Sequence, residues 1–123
     1  MVNESIALQK SKTFSIRIIK LYKHIKENKQ DFVISKQILR SGTSIGANLA
    51  ESRHASSEKD FLNKIYIALK ESSETLYWLE LLKKTNYITD KQFESIYSDC
   101  LELEKMLTAT TKTLERKNAK LTT

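Results

Sequence analysis

The chain has 123 residues, enough for one domain with a buried core, and it contains no proline and only two glycines. Its single cysteine excludes an intrachain disulfide framework or a cysteine-based zinc site, and no apolar run is long enough to span a membrane, so we expect a cytoplasmic protein. The formal net charge is +6, and the whole excess lies in residues 1–56, which favours an acidic partner such as nucleic acid, although a solvated lysine-rich helix face has the same composition.

Apolar residues three and four positions apart predict four helices. The first helix covers about residues 4–27, and the second covers about residues 31–55. The predicted core stripe of the first helix consists of Phe14, Ile18, Leu21, Tyr22 and Ile25. That of the second consists of Ile34, Ile38, Ser41, Gly42, Ile45, Asn48, Leu49 and Ser52.

The third helix covers about residues 57–85, and the fourth covers about residues 89–116. Asp60 is a weak capping-box partner for Ser57, whereas Gln92 is a full partner for Thr89. The predicted seam of the third helix consists of Leu62, Ile65, Leu69, Ser72, Leu76 and Leu79. That of the fourth consists of Phe93, Ile96, Cys100, Leu103, Leu107, Thr110 and Leu114, and the polar tail from residue 116 is expected to fray.

The predicted connections between these helices are all short, and short connections make neighbouring helices run antiparallel. No segment alternates between apolar and polar residues as a half-buried strand does. The sequence therefore predicts an all-α, antiparallel up-down-up-down four-helix bundle, formed as a single domain by residues 1–123.

Two helices carry apolar residues well away from their core stripes, at about 100° of rotation per residue. These residues are Ile16 and Ile19 on the first helix and Ile67, Trp78 and Leu81 on the third. A second stripe that includes the only tryptophan indicates a subunit interface, and we therefore expect a homo-oligomer. A wide core stripe with scattered surface residues is the alternative.

Both glycines lie in the sequence Gly42-Thr43-Ser44-Ile45-Gly46. This matches the G-x-S-x-G nucleophile elbow, but that motif requires a strand before the serine, and no strand is predicted here. The same glycines form G-x-x-x-G, in which small residues let two helices approach closely. We therefore interpret Gly42 and Gly46 as positions of close helix packing.

No metal or cofactor is predicted. His24 and His54 are the only histidines, and Glu51-Ser52-Arg53-His54 is the only Glu-x-x-His match, whereas a di-metal bundle needs two. Arg17 and His24 have a spacing similar to the Arg-x(4–6)-His signature of HEPN ribonucleases. The match is weak, so a ribonuclease is only a remote alternative.

Polar residues on the facing sides of the second and third helices indicate a structural network. A buried polar side chain must be hydrogen bonded, and a fully bonded network fixes helix register. The predicted network consists of Asn48, Glu51, Ser72, Glu74 and Arg40. A ligand pocket is the alternative interpretation.

The chain resembles a known family in Arg40, Ser44-Ile45, Asn48-Leu49-Ala50-Glu51, Phe61, Ile67-Ala68, Glu74 and the segment 77–82. These residues resemble the signature of the 23S rRNA intervening-sequence protein family. Ser52 stands where that family often has glycine, which favours a longer second helix or a tighter join. The resemblance implies a four-helix protomer, a ring-shaped homopentamer and similarity to the accessory protein of diversity-generating retroelements. It implies no catalytic residue.

The sequence therefore favours a non-enzymatic homo-oligomeric bundle that binds RNA or DNA through a basic surface. The predicted nucleic-acid-binding residues are Lys12, Lys20, Lys23, Lys26 and Arg17. The four lysines lie opposite the first helix's core stripe and can follow a line of phosphates. The alternative is a scaffold that binds a protein partner and no nucleic acid.

Overall fold

Four helices account for most of the computed structural model, which describes residues 5–122 and the side chains of residues 5–120. The helices are α1 (Ile6–Asn28), α2 (Phe32–Ser52), α3 (Glu58–Lys84) and α4 (Asp90–Thr122). Residues 5–122 contain no strand. The predicted all-α class and the four helices are therefore confirmed.

Two helix ends differ from the sequence prediction. α2 ends at Ser52 rather than near residue 55, because the N–H of Arg53 turns back to the carbonyls of Ala50 and Glu51. α4 continues to Thr122 rather than ending near residue 116. The last residues of α4 include no glycine or proline, so nothing in the sequence stops the helix.

Capping side chains begin the helices where the sequence indicates. Thr89 and Gln92 form the full reciprocal capping box, with N–H to side-chain oxygen distances of 2.8 and 3.1 Å. Ser57 accepts from the N–H of Asp60 at 3.0 Å, but the Asp60 carboxylate accepts from the N–H of Ser56 instead of Ser57. This weaker box is therefore shifted by one residue.

Asp31 caps α2 and also joins two turns of the bundle. Its carboxylate accepts from the N–H groups of Val33 and Ile34, and it accepts from the hydroxyl of Tyr87 at 2.8 Å. The hydrogen bond from the Ile34 N–H contributes most to lowering the pKa of Asp31, and the bond from the Tyr87 hydroxyl contributes next. The bond between Tyr87 and Asp31 also raises the pKa of Tyr87. The segments 29–31 and 85–89 consequently lie at the same end of the molecule.

Each helix packs against the next one in the chain, and α1 also packs against α4. Over the described residues, the backbones of α1 and α3 do not approach each other, nor do those of α2 and α4, and the four helices surround one core. The contact between α1 and α4 is the sparsest of the four. Buried residues that the predicted stripes omitted are Leu8, Ser11, Ser35, Gly46, Ala68, Thr75, Leu82, Ile88 and Thr111.

α1 and α2 approach closely at the two glycines. A Cβ atom on Gly42 would lie 2.7 and 2.8 Å from two side-chain carbons of Ile18, which is fully buried. A Cβ atom on Gly46 would lie 3.0 Å from the hydroxyl oxygen of Ser11. The space between α1 and α2 at Gly42 is therefore too small for any other residue unless the core shifts.

Buried serines occupy the same packed interior, and several bond back to their own helix. The hydroxyls of Ser11, Ser52 and Ser72 each donate to a carbonyl three residues earlier, at 2.6–2.7 Å. The hydroxyls of Ser41 and Thr75 lie 3.0 Å apart, and because Thr75 donates to the Glu71 carbonyl, Ser41 donates to Thr75. This is a direct polar link between α2 and α3 in the core.

The Gly42→Ala substitution should lower the free energy of unfolding by up to about 2 kcal/mol. Overpacking against Ile18 costs about 1–3 kcal/mol, and the higher helix propensity of alanine offsets about 1 kcal/mol of that cost. Gly46→Ala is the matched control, because it gains the same propensity but meets the small side chains of Ser11 and Ser15, with no contact shorter than 3.0 Å. Urea unfolding of both variants measures the difference, and a Gly42→Ala protein at least as stable as Gly46→Ala would contradict the packing account.

Candidate nucleic-acid interface

The outer face of α1 carries both lysines and isoleucines. At about 100° per residue, Lys12, Ile16, Ile19, Lys20 and Lys23 lie on the side of the helix away from the core. All five side chains are exposed, and the exposed fractions of Ile16 and Ile19 are 56% and 39%. From the sequence, the nucleic-acid-binding lysines and the interface isoleucines were predicted as two separate sites. In the structure they lie side by side on one face of α1.

A lysine recurs at every third position near the end of α1, at residues 20, 23, 26 and 29, and we call these four residues the α1 lysine patch. Each step of three residues turns the helix by about 300°, so Lys20, Lys23 and Lys26 wind from the side of α4 across the outside of α1. Lys29 is the C-cap of α1 and lines a hollow beside the turn between α3 and α4. All four are exposed, and none forms an ion pair with the described residues. Glu27 is the only acidic residue between residues 20 and 29.

The sequence prediction omitted Lys29, although its three-residue spacing from Lys26 was the signal that identifies it. Lys26 also lies over an aromatic ring, with its Nζ 5.7 Å from the centre of Tyr22. This contact keeps the ammonium group exposed while its stem covers the ring.

Arg17 differs from these lysines because its guanidinium is bonded to α4. One Nη donates to the Asp99 carboxylate at 2.6 Å, and the other donates to the Ser95 hydroxyl at 2.9 Å. Asp99 therefore compensates the charge of Arg17, which places this residue in the seam between α1 and α4 rather than in the lysine patch.

The outer side of α3 forms a second apolar face. Ile67, Trp78 and Leu81 are half-buried, and the indole of Trp78 packs against the core. Tyr77 is 54% exposed, and its ring meets that of Trp78 edge to face at 5.2 Å. The sequence prediction omitted Tyr77, although helical spacing puts it close to the direction of Leu81.

The polar residues of the predicted network do not form a single network. Arg40 forms ion pairs with Glu71 and Glu74 across α2 and α3, and these pairs lie at the surface. Glu51 instead pairs with Lys64 at 3.2 Å.

The remaining two members of that prediction bond within their own helices. The amide of Asn48 donates to the Ser44 carbonyl at 2.8 Å, and Ser72 donates to the Leu69 carbonyl. Helical side chains of this length reach the carbonyl one turn earlier more readily than a neighbouring helix. Of the predicted set, Arg40 and Glu74 bond to each other, whereas Asn48, Glu51 and Ser72 bond elsewhere.

Ser44, the middle residue of the G-x-S-x-G match, lies within continuous helix α2. Its hydroxyl donates to the carbonyl of Arg40, one turn earlier. No strand-to-helix turn presents it as a nucleophile elbow does. Among the described residues, no three His, Cys, Asp or Glu side chains group closely enough to hold a metal ion.

Arg17 and His24, the pair with HEPN-like spacing, line the same hollow between α1 and α4. The side-chain NH2 of Asn28 donates to the carbonyl of His24 at 3.0 Å and contacts its Nδ1 at 2.9 Å. An amide NH2 nitrogen can only donate, so Nδ1 accepts from Asn28, and the neutral ring of His24 carries its proton on Nε2.

The model of one protein family matches most of the chain: the 23S rRNA-intervening sequence protein, over residues 3–109. The chain belongs to this family. The family membership that the sequence resemblance indicated is therefore confirmed.

A solved structure is similar over nearly the whole of both proteins. It is the crystal structure of a protein with unknown function from the S23 ribosomal protein family of Bacteroides thetaiotaomicron VPI-5482. The two sequences are 53% identical, the TM-score is 0.86, and the match covers 87% of this chain and 99% of the other. No curated protein matches this chain.

None of the helices of this family member, over the described residues, has an apolar stretch of the length needed to cross a lipid bilayer. Its single cysteine, Cys100, is fully buried. Burial, with smaller effects of Glu104 and Asp99, raises the pKa of the Cys100 thiol to about 12. At neutral pH the thiol is therefore protonated and unsuited to nucleophilic chemistry.

The raised pKa of Cys100 predicts a loss of stability in alkali. The unfolded chain releases the thiol proton near pH 9, but the folded chain keeps it until about pH 12. The free energy of unfolding should therefore fall as the pH rises from about 9 to about 12. Tyr66, Tyr87 and Tyr97 also have raised pKa values and add to the same trend.

The Cys100→Ala variant separates the thiol from these tyrosines. Its absolute stability will change because the side chain is smaller, so the quantity to compare is the slope of unfolding free energy against pH. Urea unfolding between pH 8 and pH 11 should give a shallower decline for Cys100→Ala than for the parent protein. Equal slopes would show that the thiol does not contribute.

Proposed function

We propose that this family member is a non-enzymatic, homo-oligomeric helical bundle that binds RNA or DNA in the cytoplasm. The observation that carries the proposal is the α1 lysine patch. Its four ammonium groups are exposed and have no ion pairs among the described residues, and Glu27 is the only acidic residue in the segment 20–29.

Phosphate groups are the natural partners of such a patch. Lysines that neutralise phosphates release condensed counterions, and this release makes binding strong at low salt and weak at high salt. A surface that uses only ammonium groups reads the backbone and carries little sequence information. We therefore expect binding that depends on salt far more than on sequence.

An antiparallel up-down-up-down arrangement is part of the proposal, and side-chain pairs between helices support it. Between α1 and α4, Lys10 pairs with Glu102, whereas the later Arg17 pairs with the earlier Asp99. Between α2 and α3, Ser41 meets Thr75, whereas the later Glu51 meets the earlier Lys64. In both pairs, residue numbers rise along one helix as they fall along the other.

Self-assembly is proposed to use two different faces of each protomer. The exposed Ile16 and Ile19 lie on α1, and the exposed Tyr77 lies on α3, whose backbone is not adjacent to that of α1 among the described residues. Contact between two unlike faces gives a heterologous interface, and repeated heterologous contacts form a ring when the rotation from one protomer to the next closes. The homopentamer implied by the family resemblance is one such ring, and it would repeat the lysine patch around its axis.

A protein-binding scaffold is the second candidate, and an exposed apolar pair favours it. Phe32 and Val33 begin α2 and are 53% and 76% exposed. Exposed apolar side chains in the first turn of a helix suit contact with a protein partner. This candidate predicts that a protein, and no nucleic acid, co-purifies with the chain.

A HEPN-like ribonuclease is a remote alternative because Arg17 and His24 line one hollow. The bonds from Arg17 to Asp99 and Ser95 argue against it, since they engage the guanidinium that would stabilise charge on a reacting phosphate. RNA cleavage by the purified protein that disappears in His24→Ala would favour the ribonuclease.

Replacing Lys20, Lys23 and Lys26 together by glutamine should weaken binding to structured RNA and duplex DNA by about 10-fold or more at low salt. The slope of log affinity against log salt should become shallower by about two to three, because each phosphate contact contributes about 0.7–0.9. Fluorescence anisotropy from about 50 to 200 mM salt measures both quantities.

The matched control replaces Lys59, Lys70 and Lys112, which lie on α3 and α4, by glutamine and removes the same net charge. If the two triple variants bind equally well, net charge rather than the α1 lysine patch causes the attraction. If the parent protein binds neither nucleic acid at low salt, the proposed function is wrong.

Ile16→Glu and Tyr77→Glu should each break self-assembly, because each buries a charge in one of the two proposed faces. An equimolar mixture of the two variants should form dimers but no larger ring, since one intact face of each variant remains. Light scattering during size-exclusion chromatography gives the masses. A mixture that stays entirely monomeric, or a parent protein that is itself monomeric, would contradict a ring of unlike faces.

A further inference from the structure

A hollow of about 420 Å³ opens between α1 and α4, beside the first lysine of the patch. Its volume lies within the roughly 300–1,000 Å³ of small-molecule sites. It lies along the helix pair with the sparsest contact in the bundle. The lining residues are Arg17, Lys20, Leu21, His24, Ile88, Gln92 and Ile96.

The lining has an apolar part and a cationic part. Leu21, Ile88 and Ile96 supply the apolar part, and Ile88 and Ile96 belong to the core, so this wall is firmly held. Lys20 supplies a charge that no ion pair among the described residues compensates. His24 adds an Nε2–H donor, because its Nδ1 is occupied by Asn28.

Arg17 plays a different part, because its guanidinium is fixed by Asp99 at 2.6 Å. The carboxylate of Asp99 opposes an anion at that edge of the hollow. An anionic group is therefore favoured at Lys20 and His24.

A second hollow continues past His24 towards the turn between α3 and α4. The two hollows share His24, Ile88 and Gln92. The second is lined mainly by polar side chains, including Asn28, Asn86 and Thr89. Amide and hydroxyl groups of this kind can bond to the edge of a nucleobase.

We infer that the hollow between α1 and α4 binds one unstacked nucleotide of a single strand, with the base against Leu21 and Ile88 and the phosphate at Lys20 and His24. Inorganic phosphate would leave the apolar wall without a contact. An uncharged apolar ligand would leave the cationic groups without a partner. A base inside a duplex remains stacked and cannot enter, so single strands are preferred. The inference rests on the proposed function, since the α1 lysine patch would lead the strand into the hollow.

Two single substitutions form a matched pair for the test. Lys20→Gln and Lys23→Gln each remove one charge from the patch, and both side chains are exposed, so both variants should fold. Only Lys20 lines the hollow. The probes are AMP, adenosine, inorganic phosphate, a single-stranded RNA of about 12 nucleotides and the duplex of the same sequence.

The expected result is that AMP shifts the amide and methyl NMR signals of Leu21, His24 and Ile88, more strongly than adenosine or inorganic phosphate does. Lys20→Gln should weaken AMP and single-strand binding about tenfold, the size of one lost charge-assisted hydrogen bond, whereas Lys23→Gln should leave AMP binding unchanged. The parent protein should also bind the single strand more tightly than the duplex.

Two outcomes would overturn the inference but leave the proposed function unaffected. One is that AMP leaves these signals unmoved or acts no differently from inorganic phosphate. The other is that Lys20→Gln and Lys23→Gln weaken single-strand binding equally. Equal effects are expected if the lysines only contact successive phosphates and no pocket takes part. Absence of any RNA or DNA binding at low salt would instead remove the proposed function, and the AMP signals alone would then decide whether the hollow is a nucleotide site.

Discussion

The close approach of α1 to α2 at Gly42 is the constraint on which the rest of the bundle depends. No side chain larger than hydrogen fits between the α2 backbone and the buried Ile18. This contact draws α1 onto α2, and α2 is linked in turn to α3 through Ser41 and Thr75. α1 then meets α4 only sparsely, largely through long side chains, and the hollow opens in that seam.

The outer face of α1 has two neighbouring properties that bear on function. Its middle is apolar, at Ile16 and Ile19, and its last turns carry the α1 lysine patch. Assembly through the apolar part would leave the patch at the rim of each interface. Several patches on one assembly would also raise the avidity for a long strand without any new contact. Self-association and nucleic-acid binding are therefore proposed as adjacent uses of one helix rather than as competing ones.

Much of the fold could be predicted because helical periodicity and capping residues act locally. Thr89 with Gln92 marked the start of α4, and the apolar spacing around Ile18 and Leu103 identified core faces. Contacts between helices were harder to predict, because periodicity shows on which face of its helix a residue lies but not how far it is from the next helix. The sequence therefore joined Asn48 and Ser72 in one network, whereas both bond to their own helices, and it could not locate the hollow beside Lys20.

The most direct test of the account is the native mass of the protein purified from cells at moderate salt, measured together with its ultraviolet absorbance ratio. We expect a mass of at least twice 14.2 kDa. We also expect bound nucleic acid that dissociates when the salt concentration is raised. A 14.2 kDa monomer that carries no nucleic acid at any salt concentration would contradict both the assembly and the proposed function.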